Sequence, residues 1–488
     1  GYNFPRLPLR VLVSSHGSVQ AIDRPRFLGL SEFGPLNVVY HEGRKHRVTS
    51  CILPVGGVEE RLTQAKLCHT CGAIYPGEAA QIDRCTQCGA LLEGPGVSFP
   101  QRLFDQPVAR ASQWTRISSD EEERQREGFA IELALRLPGD ENVQRSEARL
   151  AGRTLLEMTV AAQTELWRIN NGWRRSNPPR GFTIDAESGA WGGQEDAPVD
   201  DDATETVVAA RTRMSGIRPY VTDHRNVLLL RPSQMTGDET GFLETLAYAL
   251  QRGIQAVYQV MENEVAVDLI GEGSQRRLLL WEEAEGGTGI WERIRNDTGS
   301  IAAIAREALR ICHIDPATGA EYEGWSRRCA AACYDCLLSY RNQTVHHHLD
   351  RHLVRDYLLE LSQAELLART ETRDYDAHYS WLLERTDPAS SLERKFLRHL
   401  YERKLRLPDL AQHQPSAEVA VQPDFYYQRD GRRGVCLFID GPAHLREHQH
   451  QGDLLKRETL ADLGYRVLVV PFNQPLDAVI AAYNDVFS

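Results

Sequence analysis

"RRCAAACYDCLLSYRNQTVHHHLDR", residues 327–351, puts three cysteines within eight residues and three histidines soon after them. Sulfurs this close serve as a disulfide framework, a redox pair or metal ligands, and the choice settles how this part of the chain folds. The other cysteines help to decide it. Ten are present, and eight fall into two groups of four: Cys68, Cys71, Cys85 and Cys88, then Cys312, Cys329, Cys333 and Cys336. The start, "GYNFPRLPLRVLVSSHG", has no basic patch followed by an apolar core, so it does not read as a secretory signal. In a large chain without such a signal this pattern favours metal over disulfides and a cytoplasmic setting. Cys51 and Cys436 stand alone in apolar surroundings and read as buried thiols. The chain opens on Gly1 rather than Met, which suggests a trimmed or incomplete N-terminus.

The first group, "CHTCGAIYPGEAAQIDRCTQCGALL" (68–92), reads C-x2-C, thirteen intervening residues, C-x2-C. Each pair bends round a tight turn, so that two thiolates point at one centre. Gly72 and Gly89 follow the pairs and permit that turn at low steric cost. Two such knuckles complete a tetrahedron around Zn2+ at about 2.3 Å per sulfur. Four protein ligands leave no open position for water, so the site should be structural, contributing on the order of 10 kcal/mol to local folding.

The second group is spaced C-x16-C-x3-C-x2-C. On a helix, Cys329, Cys333 and Cys336 would share one face, and the intervening alanines would let a remote segment bring Cys312 alongside. That predicts a second four-cysteine zinc site with Cys312 as fourth ligand. His313, or one of His346, His347 and His348, could take its place; otherwise those three histidines read as a solvated turn at a helix start.

The chain of 488 residues is too long for one core and suggests roughly three to four domains. Apolar residues make up 42% and charged residues 25%, and no apolar run reaches the length of about 18 that a membrane span needs. The formal net charge is −12, which argues against a protein that coats nucleic acid. Much of the acid lies in "SSDEEERQRE" (118–127) and "GGQEDAPVDDDATET" (192–206), which read as solvated loops. Nucleic-acid contact must then use a local or shared patch. The candidate is "WRRSNPPR", where Trp173 could stack beside phosphate contacts from Arg174, Arg175 and Arg180. Further basic groups are "RRLLLW" (276–281), "WSRRC" (325–329) and "RHLYERKLR" (398–406).

The first 115 residues read as short strands holding the zinc ribbon (66–92). Residues 116–299 read as an α/β core. Within it, "ARLAGRTLLEMTVAAQTELWRI" (148–169) and "ETGFLETLAYALQRGIQAVYQV" (239–260) carry helical spacing. "RNVLLLRPS" reads as a buried strand, and "EVAVDLI" with "RRLLLWEEA" as a strand pair. "AEGGTG" (284–289) is a tight turn opening a helix; it has no Lys for a phosphate. Residues 300–369 read as a helical zinc domain. Residues 385–488 form a separate unit in the order helix (392–405), strand (419–427), strand (434–440), helix (453–463), strand (465–470). The fold class is therefore multidomain α/β (α+β) with two structural four-cysteine zinc sites.

"CYDCLLSYRNQ" followed by "HHHLDR" resembles the zinc domain that follows the motor in Mrf-type helicases, and "LLLWEEAEGGTGIWERI" resembles a signature that precedes it. The chain contains no G-x-x-x-x-G-K-[ST] sequence. The order of early zinc ribbon, "RPYVTDHRNVLLLRP", "EGGTG" turn and late cysteines is similar to that of the DrmB family, helicase-associated subunits of DISARM anti-phage systems. This resemblance implies a cytoplasmic, non-ATPase subunit that pairs as a heterodimer with a DrmA-like helicase and helps it to recognise invading phage DNA.

The last hundred residues or so, with "QPDFYY" and "CLFIDGPAHLREHQHQGDLLKRETLADLGYRVLVV", resemble the Vsr-like branch of the PD-(D/E)xK restriction-endonuclease fold. That resemblance implies a Mg2+-holding acid cluster of Glu393, Asp424 and Asp440, with His444 and Lys456 as base or phosphate contacts. The family's acid two residues before the Asp-Gly is Phe438 here, and its Lys position is Pro442. A fold kept for packing or DNA docking is the expectation; a Mg2+-dependent nuclease is the alternative, and a zinc-ribbon scaffold without a DNA role is a third.

Overall fold

The computed structural model describes residues 7–15, 18–94, 97–100, 102–116, 128–138, 142–174, 176, 180–192, 213–233, 240–283, 287–368, 375–386, 390–415, 421–429, 432–440 and 457–487. The chain divides into two compact units: Gly1–Gly77 with Val97–Ala368, and Glu78–Gly96 with Arg369–Ser488.

The first unit is built on a large mixed sheet. Its central path runs Val265–Ile270, Arg277–Glu282, Arg213–Pro232, Arg153–Trp173, Phe129–Arg136, Ala73–Pro76, Ala65–Cys68, Val97–Ser98. Alternate residues of its central strands enter two different cores. Met158, Leu228, Leu230, Leu278 and Leu280 pack under the helices Thr240–Tyr258, Ser300–Ile311 and Arg351–Leu361. Val227, Leu229, Leu279 and Trp281 face the other way, in a core shared with Val11, Val13, Val48 and Ala111 of a five-stranded sheet. A strand covered on both faces reads as an unbroken apolar run, which is why "NVLLL" and "RLLLW" are continuous. The strand pair Val265–Ile270 and Arg277–Glu282 and the helix Thr240–Tyr258 agree with the sequence.

One element differs. The helix expected at 148–169 is the end of Val143–Leu150 and most of the 21-residue strand Arg153–Trp173. Ala151 and Gly152 have φ of 49° and 80° and turn the chain back in a two-residue hairpin, pairing Leu150 with Arg153. Both φ values positive is what a tight hairpin turn requires. The strand is hydrogen-bonded on both sides, and that tertiary pairing overrides the helix-forming residues within it.

The second unit carries a four-stranded sheet in the order Leu410–Ala411, Phe425–Arg429, Arg432–Asp440, Arg466–Pro471. The last two strands are parallel, so the chain between them must cross over; within its described part, 457–462 is helical. The helix Ser391–Glu402 buries Phe396, Leu397 and Leu400 against Phe425, Leu437 and Leu468. Cys436 and Leu460 pack on the opposite face. Among the described residues no helix is long and apolar enough to cross a membrane.

Candidate metal centres

The first cysteine group forms two knuckles. Cys68 ends a strand whose antiparallel partner begins at Ala73, so the turn between them is the first C-x2-C. Gly72 donates its N–H to the Cys68 carbonyl at 2.7 Å, and Gly89 does the same to Cys85 at 2.8 Å. Both glycines have φ near the left-handed value, 76° and 74°. At Gly72 a Cβ would stand 2.0 Å from Ile270 Cγ1, so glycine is required there twice over. Within each knuckle the two Sγ atoms lie within 4.8 Å of each other. All four cysteines are free of disulfides.

The second centre differs from the spacing argument in two respects. Cys329, Cys333 and Cys336 do not share a helix; the helix Trp325–Arg328 stops before them and the chain turns from there. The fourth ligand atom within 4.8 Å comes from His313, not Cys312. The cause is the end of the helix Ser300–Ile311. Cys312 caps it with its side chain fully buried in the helical core. His313 then takes φ of 62°, which swings the next side chain away from the helix. Its Nε2 lies 3.3 Å from Cys333 Sγ, and its ring stacks on Trp325 with centroids 3.6 Å apart.

The distances fit zinc. Cys329 and Cys336 sulfurs are 3.7 Å apart, and those of Cys333 and Cys336 are 3.5 Å apart. A tetrahedral edge at about 2.3 Å per Zn–S bond is about 3.8 Å long, whereas a disulfide would need about 2.05 Å. The Cys333 N–H donates to Cys336 Sγ at 3.1 Å. Burial, ahead of Arg351, lowers the His313 pKa, which favours the neutral imidazole a metal takes.

Arg351, the last residue of the stretch quoted at the outset, is fully buried beneath this centre. It donates to the Cys329 carbonyl at 2.9 and 3.1 Å, to the Cys312 carbonyl at 3.2 Å, and to Glu321 at 2.8 Å. It thus fixes both segments that supply ligands and places a positive charge beside the thiols. Sequence reasoning missed it because an Arg after three histidines reads as surface. Those histidines are not in the ligand group. His346 bonds Ser339 and Asn342, and His348 pairs with Glu244 at 2.6 Å.

The "LLLWEEAEGGTG" signature also gains a reason, although 284–286 lie outside the described residues. Glu282 is 1% exposed and accepts from Thr288 N and Oγ1, Ile290 N and Asn226 Nδ2. A Cβ at Gly287 would stand 2.3 Å from both Asn226 Nδ2 and Glu282 Oε2. The turn from Gly287 to Ile290 is held on a buried carboxylate, Gly287 serves close packing, and Gly289 supplies a left-handed φ of 73°.

The remaining candidates divide. Trp173 packs its ring on Phe129 at 4.5 Å and edge-on to Phe182, so the stacking role read from sequence is occupied internally. Arg174 is exposed and its Nε donates to the Phe129 carbonyl; Arg180 is exposed. Arg175, His444, Lys456 and both acidic segments, Gly192 apart, lie outside the described residues. In the second unit, Gln412 Nε2 reaches Glu393 at 3.2 Å and Asp424 at 3.4 Å. Burial, then Glu393, pushes Asp424 up to about 7. Asp440 is held by a two-pronged ion pair with Arg457. Among the described residues these carboxylates do not draw their oxygens within 4.8 Å as a third ligand group.

Fold and centres together define a mixed α/β protein with two zinc-type ligand clusters. Residues 246–337 match the family model described as the MrfA Zn-binding domain, from within the helix Thr240–Tyr258 to just past Cys336. Among solved structures, a crystal structure of the DUF1998 helicase MrfA bound to DNA is similar at 10% identity with a TM-score of 0.35, over 73% of this chain and 34% of that one. This chain thus spans about a third of that helicase's length. A comparison with curated proteins found no match.

Proposed function

We propose that this chain is a zinc-stabilised partner subunit of a helicase, of the DrmB type, acting beside a DrmA-like motor in recognition of phage DNA by a DISARM defence system. The observation that carries it is the match of 246–337 to the MrfA Zn-binding domain, in 488 residues without a G-x-x-x-x-G-K-[ST] sequence. Supporting it, both centres have four protein ligands and no open position, so zinc here shapes the fold rather than activating water. The eight ligands are Cys68, Cys71, Cys85 and Cys88, and His313, Cys329, Cys333 and Cys336. The test is co-expression with a DrmA-like helicase. A stable heterodimer that binds DNA more tightly than either chain alone is expected, with ATP hydrolysis only in the helicase. Separate elution of the two chains overturns the reading.

A second reading, Mg2+-dependent DNA cleavage by the C-terminal unit, is favoured by the Glu393–Asp424 pair bridged through Gln412. Against it, Arg457 supplies Asp440 with the cation that a metal would replace. Mg2+-dependent cutting abolished by Asp440→Ala would establish it.

A further inference from the structure

A cavity of about 190 Å3 lies in the second unit beside the helix Ser391–Glu402. Leu392 and Phe396 from that helix and Val470 from the sheet form its apolar floor. Phe472 forms a wall and is 41% exposed. The cavity is preformed. Asp477, at the start of the helix Leu476–Ala482, accepts from His399 at 2.8 Å and from Arg403 at 2.9 Å, which ties the two helices together across its edge.

One cation lines it, and two more stand on the same helix outside the lining. Arg394, Lys395 and Arg398 are exposed on the outward side of the helix, and Lys395 lines the opening. Positions four apart on a helix are neighbours, so Arg394 and Arg398 stand together. Among the described residues none of the three makes an ion pair or hydrogen bond, whereas most surface arginines of this unit do. Unpaired positive charge stands out in a chain of net charge −12. Gln474, also exposed at the rim, offers an amide that can both donate and accept.

A flat ligand with an apolar face, an edge that hydrogen-bonds, and flanking anionic groups fits this arrangement. The volume is below the roughly 300 Å3 of pockets for drug-sized molecules, which suits one ring system rather than a whole cofactor. An unpaired nucleobase on a phosphodiester backbone has all of these properties. Proteins that hold single strands pair aromatic stacking faces with a cationic track in the same way.

We propose that this cavity captures one unpaired base of a single-stranded nucleic acid. Phe472 is its stacking face, and Arg394, Lys395 and Arg398 hold the adjacent phosphates. The inference rests on the nucleic-acid reading above and sharpens it to strand state and site. It does not depend on the acid cluster.

The test is fluorescence anisotropy with the full chain and labelled oligothymidine, an abasic strand of equal length, and oligouridine. Arg394→Glu with Arg398→Glu should weaken oligothymidine binding at least about tenfold and lower the salt slope by about two. Phe472→Ala should weaken it by about fivefold or more, yet leave the abasic strand unaffected, because only the base stacks. All these positions are exposed, so thermal melting should be unchanged. A preference between thymidine and uridine strands assigns the sugar. Oligothymidine binding that ignores both variants overturns the proposal. So does equal binding of abasic and thymidine strands. A wild-type chain that binds no strand but still pairs with its helicase overturns this site and leaves the partner reading standing.

Discussion

Arg351→Ala probes how the second centre is built. The guanidinium is fully buried and makes three hydrogen bonds to the carbonyls of Cys312 and Cys329 and an ion pair with Glu321. Truncation leaves two buried carbonyls short of a donor, at about 1 kcal/mol each, and opens a cavity the size of the side chain. Glu321 keeps His352 at 3.0 Å and is partly exposed, so its share of the loss is small. Removing one partner of a buried ion pair costs about 3–5 kcal/mol, and the sum here falls within that range. Because Arg351 sets the positions of the segments carrying His313 and Cys329, zinc affinity should also fall by about 10–100-fold at this centre only. Urea unfolding gives the first quantity, and competition with a chromogenic chelator gives the second. A variant within about 1 kcal/mol of wild type that retains both zinc ions equally well would refute the reasoning.

Three further outcomes follow from the same structure. Glu282→Ala should release the 287–290 turn, destabilise the first unit by about 3 kcal/mol and speed amide exchange at Thr288 and Ile290; unchanged exchange would show that the turn holds without it. Asp424→Asn should stabilise the second unit. A carboxyl held at about 7 when folded takes up a proton on folding above its unfolded value of about 4, so wild-type stability falls from pH 4 to 7 and is then flat. The gain from Asn should grow across that window, to about 1 kcal/mol or more at pH 8; a pH-independent gain in urea titrations contradicts the assignment. Gly72→Ala should break the first knuckle, since both φ and the contact with Ile270 forbid a Cβ, and should cost one zinc per chain in metal analysis; full retention would show that the knuckle adapts.

Much of the metal chemistry was legible because a C-x2-C pair is a local device: the turn, the glycine after it and both sulfurs lie within a few residues. The second centre was half legible. Its three clustered cysteines are local, but the choice between Cys312 and His313 turns on where one helix ends and on a left-handed residue just beyond it, which spacing does not encode. The strand Arg153–Trp173 misread as a helix for a related reason. Buried on both faces at a sheet centre, its apolar residues lose strict alternation, and Ala, Leu, Glu and Gln supply helix propensity. The Ala151–Gly152 turn was the available signal. Arg351 was illegible because it gains its partners from segments distant in the chain, and Glu282 because a Glu in an acidic run does not announce its burial.

The central claim is two zinc centres, the second one completed by His313. Zinc per chain, measured by plasma emission spectrometry on wild type, Cys312→Ser and His313→Ala, tests it most directly. About two zinc ions are expected in wild type and in Cys312→Ser, and about one in His313→Ala. Two ions retained in His313→Ala, with one lost in Cys312→Ser, would contradict the account.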